Sequence, residues 1–155
     1  MSLPEEKLLV RRIKEGTVID HIEGGRSLEV LKILGIGKGT KSVVTVAMNG
    51  PSGKLGRKDI VKIEGRFLSP EETDRIALIA PRATINIIKG YRVVEKRKVR
   101  LPSVIYGMVR CPNPTCITNS GEPIGRIFDV IDREKPLLRC RYCGRILKPE
   151  ELVMD

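Results

Sequence analysis

Four cysteines constrain this chain more than any other feature. Cys111 and Cys116 are separated by four residues, Cys140 and Cys143 by two, and 23 residues divide the two pairs. Two short clips of this kind, each pinched by a tight turn, bring four thiolates to the corners of one tetrahedron, the geometry of a closed structural zinc site. A four-sulfur shell leaves no position for water or substrate, so the cluster points to structure and says nothing direct of catalysis. The competing readings are two disulfides or four unrelated buried thiols. Disulfides need an oxidising compartment. The opening Met-Ser-Leu-Pro-Glu-Glu-Lys lacks the cationic, apolar and small-residue succession of a secretory leader. No apolar run approaches a membrane span. The expectation is a cytoplasmic chain away from membranes, where paired cysteines hold metal. Pro112 and Pro114 stiffen the first clip, and Gly144 follows the second, free to take a positive φ that turns backbone N–H groups toward sulfur. One structural Zn²⁺ per chain is expected; four-cysteine iron is the lesser alternative, because rubredoxin-like sites use two-residue gaps in both clips.

The formal charge of +10 is unevenly placed. Residues 1–100 hold 21 Lys+Arg against 12 Asp+Glu, whereas residues 101–155 hold 8 against 7. Four thiolates and one divalent ion would take the second segment slightly negative. The anion-seeking surface therefore belongs to the first segment, which counts against a nucleic-acid-binding zinc ribbon, as does an aromatic content of 3%. With no Trp and 41% hydrophobic residues, the core must be aliphatic. The chain contains no Gln and is rich in Ile, Val, Lys, Arg and Glu, a bias shared with hyperthermophile proteins.

A charged run, Glu95 to Arg100, followed by Leu101-Pro102-Ser103 marks a junction. It divides an expected domain at 1–100 from one at 101–155. In the first, Thr17 to Ile22 reads as a strand. Ser27 to Leu34 reads as a helix with Leu28, Leu31 and Leu34 on one face, ended by Gly35. Lys41 to Met48 reads as a strand, Asn49 to Gly53 as a turn, and Lys58 to Glu64 as a half-buried strand. Ser69-Pro70-Glu71-Glu72 carries a capping box and an N1 proline, so a helix runs from there toward Pro81. Thr84 to Lys89 and Tyr91 to Val94 are strands hinged at Gly90. This order is the ferredoxin-like split β-α-β pattern, an antiparallel sheet with two helices on one face. The second segment offers short strands at 104–109, 126–131 and 136–140, with a final strand or turn at 146–147 and 152–153. The fold class is α+β with a small zinc-bound antiparallel β domain. At about fifty residues that domain is small for a self-supporting core, and metal supplies much of its folding free energy.

Candidate ligand residues follow from strand periodicity. Lys58 and Lys62 share one strand face, with Asp59, Val61 and Ile63 on the other. Two ammonium groups fixed on a sheet suit a polyphosphate, although a lone Lys-x-x-x-Lys is by itself a solvated face. Asn86 and Ile88 share a face, with Tyr91 just beyond Gly90; an amide beside an apolar residue suits the edge of a nucleobase. His21, the single histidine, follows Asp20 and reads as a polar strand-end residue. Gly37-Lys38-Gly39-Thr40 follows a helix rather than a strand, so it is no phosphate loop. No Ser/His/Asp set is present, and the cysteines are committed to metal, so an enzyme is disfavoured.

Several stretches together resemble one family. They are Gly16-Thr-Val-Ile-Asp-His-Ile22, Pro51-Ser-Gly-Lys-Leu-Gly-Arg-Lys-Asp59, Ala80-Pro-Arg-Ala-Thr-Ile-Asn86, Cys111-Pro-Asn-Pro-Thr-Cys-Ile117 and Cys140-Arg-Tyr-Cys143. In this order, and across essentially the whole chain, they resemble the regulatory chain of aspartate carbamoyltransferase. The resemblance implies a non-catalytic subunit of the enzyme that starts pyrimidine synthesis. Its first domain would bind CTP, UTP and ATP as effectors and pair with a second regulatory chain. Its zinc domain would dock on the catalytic chain. By motif position, the triphosphate would meet Lys58, Lys62 and Lys96. The base and ribose would meet Val10, Ile13, Val18, Asp20, Asn86, Ile88, Tyr91 and Val93, with His21 beside them. Lys96 lies off the two-residue period of Tyr91 and Val93, so it needs a bulge or a strand end to reach the phosphates. A nucleic-acid-binding zinc-ribbon protein is the alternative reading.

Overall fold

The structure, a computed structural model, describes residues 12–151 and 153–154. The chain divides into two compact units, one ending at Val99 and the next beginning at Arg100. The first contains β1 (Glu15–Glu23), α1 (Ser27–Ile33), β2 (Val44–Ser52), β3 (Gly56–Glu64), α2 (Pro70–Ile79), β4 (Thr84–Lys89) and β5 (Arg92–Lys98). Its sheet runs β2-β3-β1-β4-β5 with every neighbour antiparallel. The first four of these strands have the ferredoxin-like order, and β5 adds an edge. The two helices pack together. Ile19, Val61, Ile63 and Ile85 form the buried side of the sheet. Alternation along the strands sends Val18, Lys62 and Asn86 to the opposite side.

α2 starts as its sequence dictates. Ser69 accepts from the Glu72 N–H and the Glu72 carboxylate accepts from the Ser69 N–H, closing the capping box with Pro70 at N1. α1 departs from its apolar periodicity. Leu28 is 62% exposed, and the buried positions are Ser27, Val30 and Leu34. The cause is electrostatic: the buried Ser27 N–H donates to the Asp59 carboxylate at 2.9 Å, which fixes the rotation of the helix at its first residue.

The expected turn at Asn49 to Gly53 is likewise corrected. β2 continues through Ser52 with a bulge after Ala47, and the reversal falls at residues 53–55. Asn49 takes φ +58 within the bulge, and its N–H donates to Asp59 at 2.9 Å. Its left-handed conformation serves the bulge rather than a hairpin. Nor is His21 a strand-end residue: β1 bulges at Asp20-His21, with His21 at φ +57, and resumes to Glu23. The basic run is mostly strand, since β5 reaches Lys98 with every residue exposed.

The second unit pairs β6 (Val104–Tyr106), β8 (Ile127–Asp132), β9 (Leu137–Cys140) and β10 (Ile146–Leu147) in the order β10-β9-β8-β6. β7 (Val109–Arg110) pairs with β11 (Val153–Met154). The single strand expected over 104–109 is broken where Gly107 and Met108 both take positive φ. Phe128, Ile105, Leu138 and Leu147 are fully buried and form this unit's small core.

Candidate functional site

The open side of the first sheet carries a cleft, and the strand register shows how its residues meet. Val18 pairs with Lys62 on one side and Asn86 on the other, and Asn86 pairs with Lys96. These four residues form one row across four strands. One step toward the start of β1, Gly16 pairs with Ile88, and Ile88 with Val93. One step the other way, Asp20 pairs with Thr84. A bulge between the Ile87–Glu95 and Ile88–Val93 pairs absorbs Val94. That extra residue brings Lys96 onto the face of Val93, as its position off the period required.

Gly16 has no substitute in this arrangement. Its φ is +143, and a Cβ there would stand 2.1 Å from the Ile63 carbonyl oxygen. Its bare backbone also leaves the floor open between Glu64 and Ile88, its two register partners.

The cleft encloses about 310 Å³ and brings together Ile13, Val18, Asp20, Lys62, Asn86, Ile88, Tyr91 and Val93. Lys58, His21 and Lys96 are not among its lining residues; Lys58 and His21 gather at its Asp20 end, and Lys96 stands in the row of Val18 and Asn86. Lys58 Nζ stands 3.0 Å from Asp20, and the His21 N–H donates to the same carboxylate. His21 Nδ1 lies 3.0 Å from Thr84 Oγ1. Burial holds the His21 imidazole below its usual range; Asp20 opposes this, while Lys58, Lys54 and Lys96 add to it. The Lys62 ammonium is also held below the usual lysine range, by burial first and then by the Arg12 guanidinium, against the pull of Glu64. Val10 lies outside the described residues.

Two cations at this site carried no signal in the sequence. Arg12 lines the cleft and donates from Nη2 to the Tyr91 carbonyl at 3.4 Å. Lys54 sits in the reversal between β2 and β3 and acts on His21 only through the folded register. A third residue, Asp59, underlies the site. It is fully buried, and its carboxylate accepts from the N–H groups of Gly25, Ser27 and Asn49 at 3.0, 2.9 and 2.9 Å. It thereby ties the start of α1 and the bulge of β2 to β3 beside Lys58.

In the second unit all four Sγ atoms lie within 4.8 Å of one another. Four sulfurs at ~2.3 Å from one ion stand ~3.8 Å apart at tetrahedral corners. The Cys111–Cys143 and Cys116–Cys140 sulfurs are each 3.7 Å apart, which fits a shared ion and is far beyond a disulfide. Asn119 ties the first clip by donating to the carbonyls of Cys111 and Asn113 at 2.7 and 2.9 Å. Thr118 Oγ1 contacts the Cys116 sulfur at 3.1 Å. In the second clip Gly144 takes φ +76 and its N–H donates to the Cys140 carbonyl at 2.8 Å. Burial pushes the Cys111 thiol up to about 12. Burial also raises Cys143, but hydrogen bonds from the Arg145 backbone, Asn113 and the neighbouring thiols bring it down to about 7. A thiol shifted as far as Cys111 becomes a thiolate at neutral pH only with a cation beside it, so the donor set fits a metal ion.

Residues 8–100 match the family described as "Aspartate carbamoyltransferase regulatory chain, allosteric domain". Residues 103–153 match "Aspartate carbamoyltransferase regulatory chain, metal binding domain". The chain is 59% identical to the aspartate carbamoyltransferase regulatory chain of Cenarchaeum symbiosum over 143 residues, 92% of this chain and 94% of that one. It is 60% identical to that of Hyperthermus butylicus over 146 residues, 94% and 91% of the two chains. Against that of Methanothermobacter thermautotrophicus the figures are 59% over 152 residues, 98% and 96%.

Proposed function

The chain belongs to the regulatory-chain family of aspartate carbamoyltransferase, and from that premise we propose that its cleft binds the nucleoside triphosphates CTP, UTP and ATP while its cysteine cluster holds Zn²⁺. The family makes it a non-catalytic subunit with an allosteric domain and a metal-binding domain. In this reading the metal-binding unit docks on the catalytic chain, regulatory chains pair as homodimers, and the assembly works in the cytoplasm in the control of pyrimidine synthesis.

One observation carries the nucleotide reading. The register gathers Lys62, Val18, Asn86 and Lys96 into a single row, with the Lys58–Asp20 pair at one end and apolar Ile88 and Val93 at the other. A ligand with a polyanionic end, a polar centre and a flat apolar-faced end matches that gradient. The triphosphate meets Lys58, Lys62 and Lys96 with His21 beside it. The base and ribose meet Ile13, Val18, Asp20, Asn86, Ile88, Tyr91 and Val93. Zn²⁺ is favoured over iron by the unequal clips, and it acts here by rigidifying a docking surface rather than by chemistry. Control is a matter of linkage: a nucleotide shifts the holoenzyme only by binding its quaternary states with different affinity.

The test is calorimetric titration of CTP into the zinc-loaded chain and its Lys58→Ala and Lys96→Ala variants. Both variants are expected to weaken binding while retaining metal and assembly with catalytic trimers. Unchanged affinity in both removes the assignment.

A further inference from the structure

The cleft has opposite ends of different chemistry. At one, Asp20 accepts from Lys58, and His21 adjoins them. Four residue steps along β1 separate Asp20 from Gly16, about 13 Å at strand rise, and the floor between passes from Asn86 to Ile88 and Val93. Beyond the far end lies Tyr91, whose peptide is gripped on both sides by the segment leading into β1. Its N–H donates to the Lys14 carbonyl at 3.1 Å, and its carbonyl accepts from Arg12 Nη2 at 3.4 Å. A ligand whose anionic end rests at Lys58 therefore presents its opposite edge to the Arg12 guanidinium.

A guanidinium is a planar fork of donors with no acceptor. It rewards an edge with two adjacent acceptors and penalises one with a hydrogen in that place. We propose that Arg12 is a specificity-determining residue of the cleft, reading adjacent acceptors on the base edge and so favouring cytosine. Cytosine offers N3 and O2 side by side. Uracil carries a hydrogen on N3, and adenine sets its amino group beside N1. The inference rests on the nucleotide reading above. The anchor of Arg12 on Tyr91, remote from the Lys58 end, assigns it to the base rather than the phosphates.

The experiment compares CTP, CMP, UTP and ATP binding to the zinc-loaded full chain with binding to Arg12→Ala and Arg12→Lys, at one ionic strength. Arg12→Ala is expected to weaken CTP about tenfold, ~1.4 kcal/mol, and CMP by the same factor. UTP and ATP should lose less than about threefold on the same scale. Arg12→Lys should stay as weak for CTP as the alanine variant, because an ammonium keeps the charge and loses the fork. Equal losses for all three triphosphates overturn the proposal. So does a loss that grows from CMP to CTP, which would make Arg12 a phosphate contact, and so does restoration by lysine. Lys58→Ala, run alongside, tests the underlying reading separately: it should weaken CTP far more than CMP. Inorganic tripolyphosphate bound by wild type as tightly as every nucleotide would sink that reading and the Arg12 role with it.

Discussion

Replacing Asp59 by alanine should cost the first unit about 3 kcal/mol. The carboxylate is fully buried and accepts from three backbone N–H groups, those of Gly25, Ser27 and Asn49. Leaving a buried donor unsatisfied costs ~1–3 kcal/mol. The Ser27 N–H is buried and bears that cost in full, whereas the Gly25 and Asn49 bonds are only part-buried and can recruit water. A loss of ~3 kcal/mol lowers the midpoint of a unit of about one hundred residues by roughly 10–20 °C. Asp59→Asn should be intermediate, because one amide oxygen replaces two carboxylate oxygens and the amide N–H₂ then faces a backbone donor. A pH signature separates this mechanism from simple cavity formation. Burial alone would raise the Asp59 carboxyl, but hydrogen bonds from Ser27, Asn49 and Gly25 hold it below the usual range. A depressed folded pKa gives stability that is fully present above the unfolded value of ~3.9 and is lost as pH falls through the folded value. Wild type should therefore weaken below about pH 4 more steeply than the alanine variant, which keeps only the slope of the remaining carboxylates such as Glu72. The assay is thermal unfolding followed by circular dichroism across pH, with amide exchange read at Ser27 and Asn49. Unchanged protection at both amides, or a midpoint within about 3 °C of wild type, would refute the reasoning.

Chelation of the metal should unfold residues 101–155 and leave the first unit folded, read as partial loss of far-ultraviolet ellipticity with retained protection in β1 and β3; both units keeping their structure would count against a metal-dependent second unit. Polyphosphate binding should take up protons at alkaline pH. The Lys62 pKa is depressed by burial and Arg12, and an anionic ligand restores the charged form, so calorimetric enthalpies on the alkaline side should vary with buffer ionisation enthalpy, and a Lys62→Arg variant should lose that dependence. Ser69→Ala should cost ~1 kcal/mol by removing the acceptor for the Glu72 N–H at the start of α2, checked by urea unfolding. The composition bias predicts a thermal midpoint above the mesophile cluster of about 45–65 °C, and a midpoint inside that range would contradict it.

Elements whose signals are local were legible in the sequence. The capping box at Ser69 needs only residues 69–72, and the cysteine spacing needs only two clips, so both emerge as expected. Period two on β3 correctly put Lys58 and Lys62 on the face opposite Asp59, Val61 and Ile63, because β3 itself contains no inserted residue. What periodicity could not see were long-range determinants. The rotation of α1 is set by a carboxylate 32 residues away, which is why Leu28 lies outside although its spacing fits the apolar stripe. Asn49-Gly50-Pro51 has the composition of a hairpin turn, yet Asp59 claims the Asn49 N–H and the same residues become a bulge. Arg12 and Lys54 lie outside any strand period, and only the folded chain brings Arg12 to the cleft and the Lys54 charge to bear on His21.

The bulges carry a common consequence. An unbroken strand alternates faces strictly, so a one-sided core forbids two functional residues at odd spacing from sharing the open face. One inserted residue lifts that restriction locally. In β5, Val94 is the insertion, and Val93 and Lys96 then share one side of the sheet. In β1, Asp20-His21 stands against a single residue of β3, so Ile19 and Ile22 both remain fully buried although three positions apart, while Asp20 stays beside Val18 on the open side. In β2, the bulge turns the Asn49 N–H onto Asp59, the buried neighbour of Lys58. The apolar pattern holds the sheet together, and its interruptions bring residues that the strand period would separate onto the open face of the candidate site.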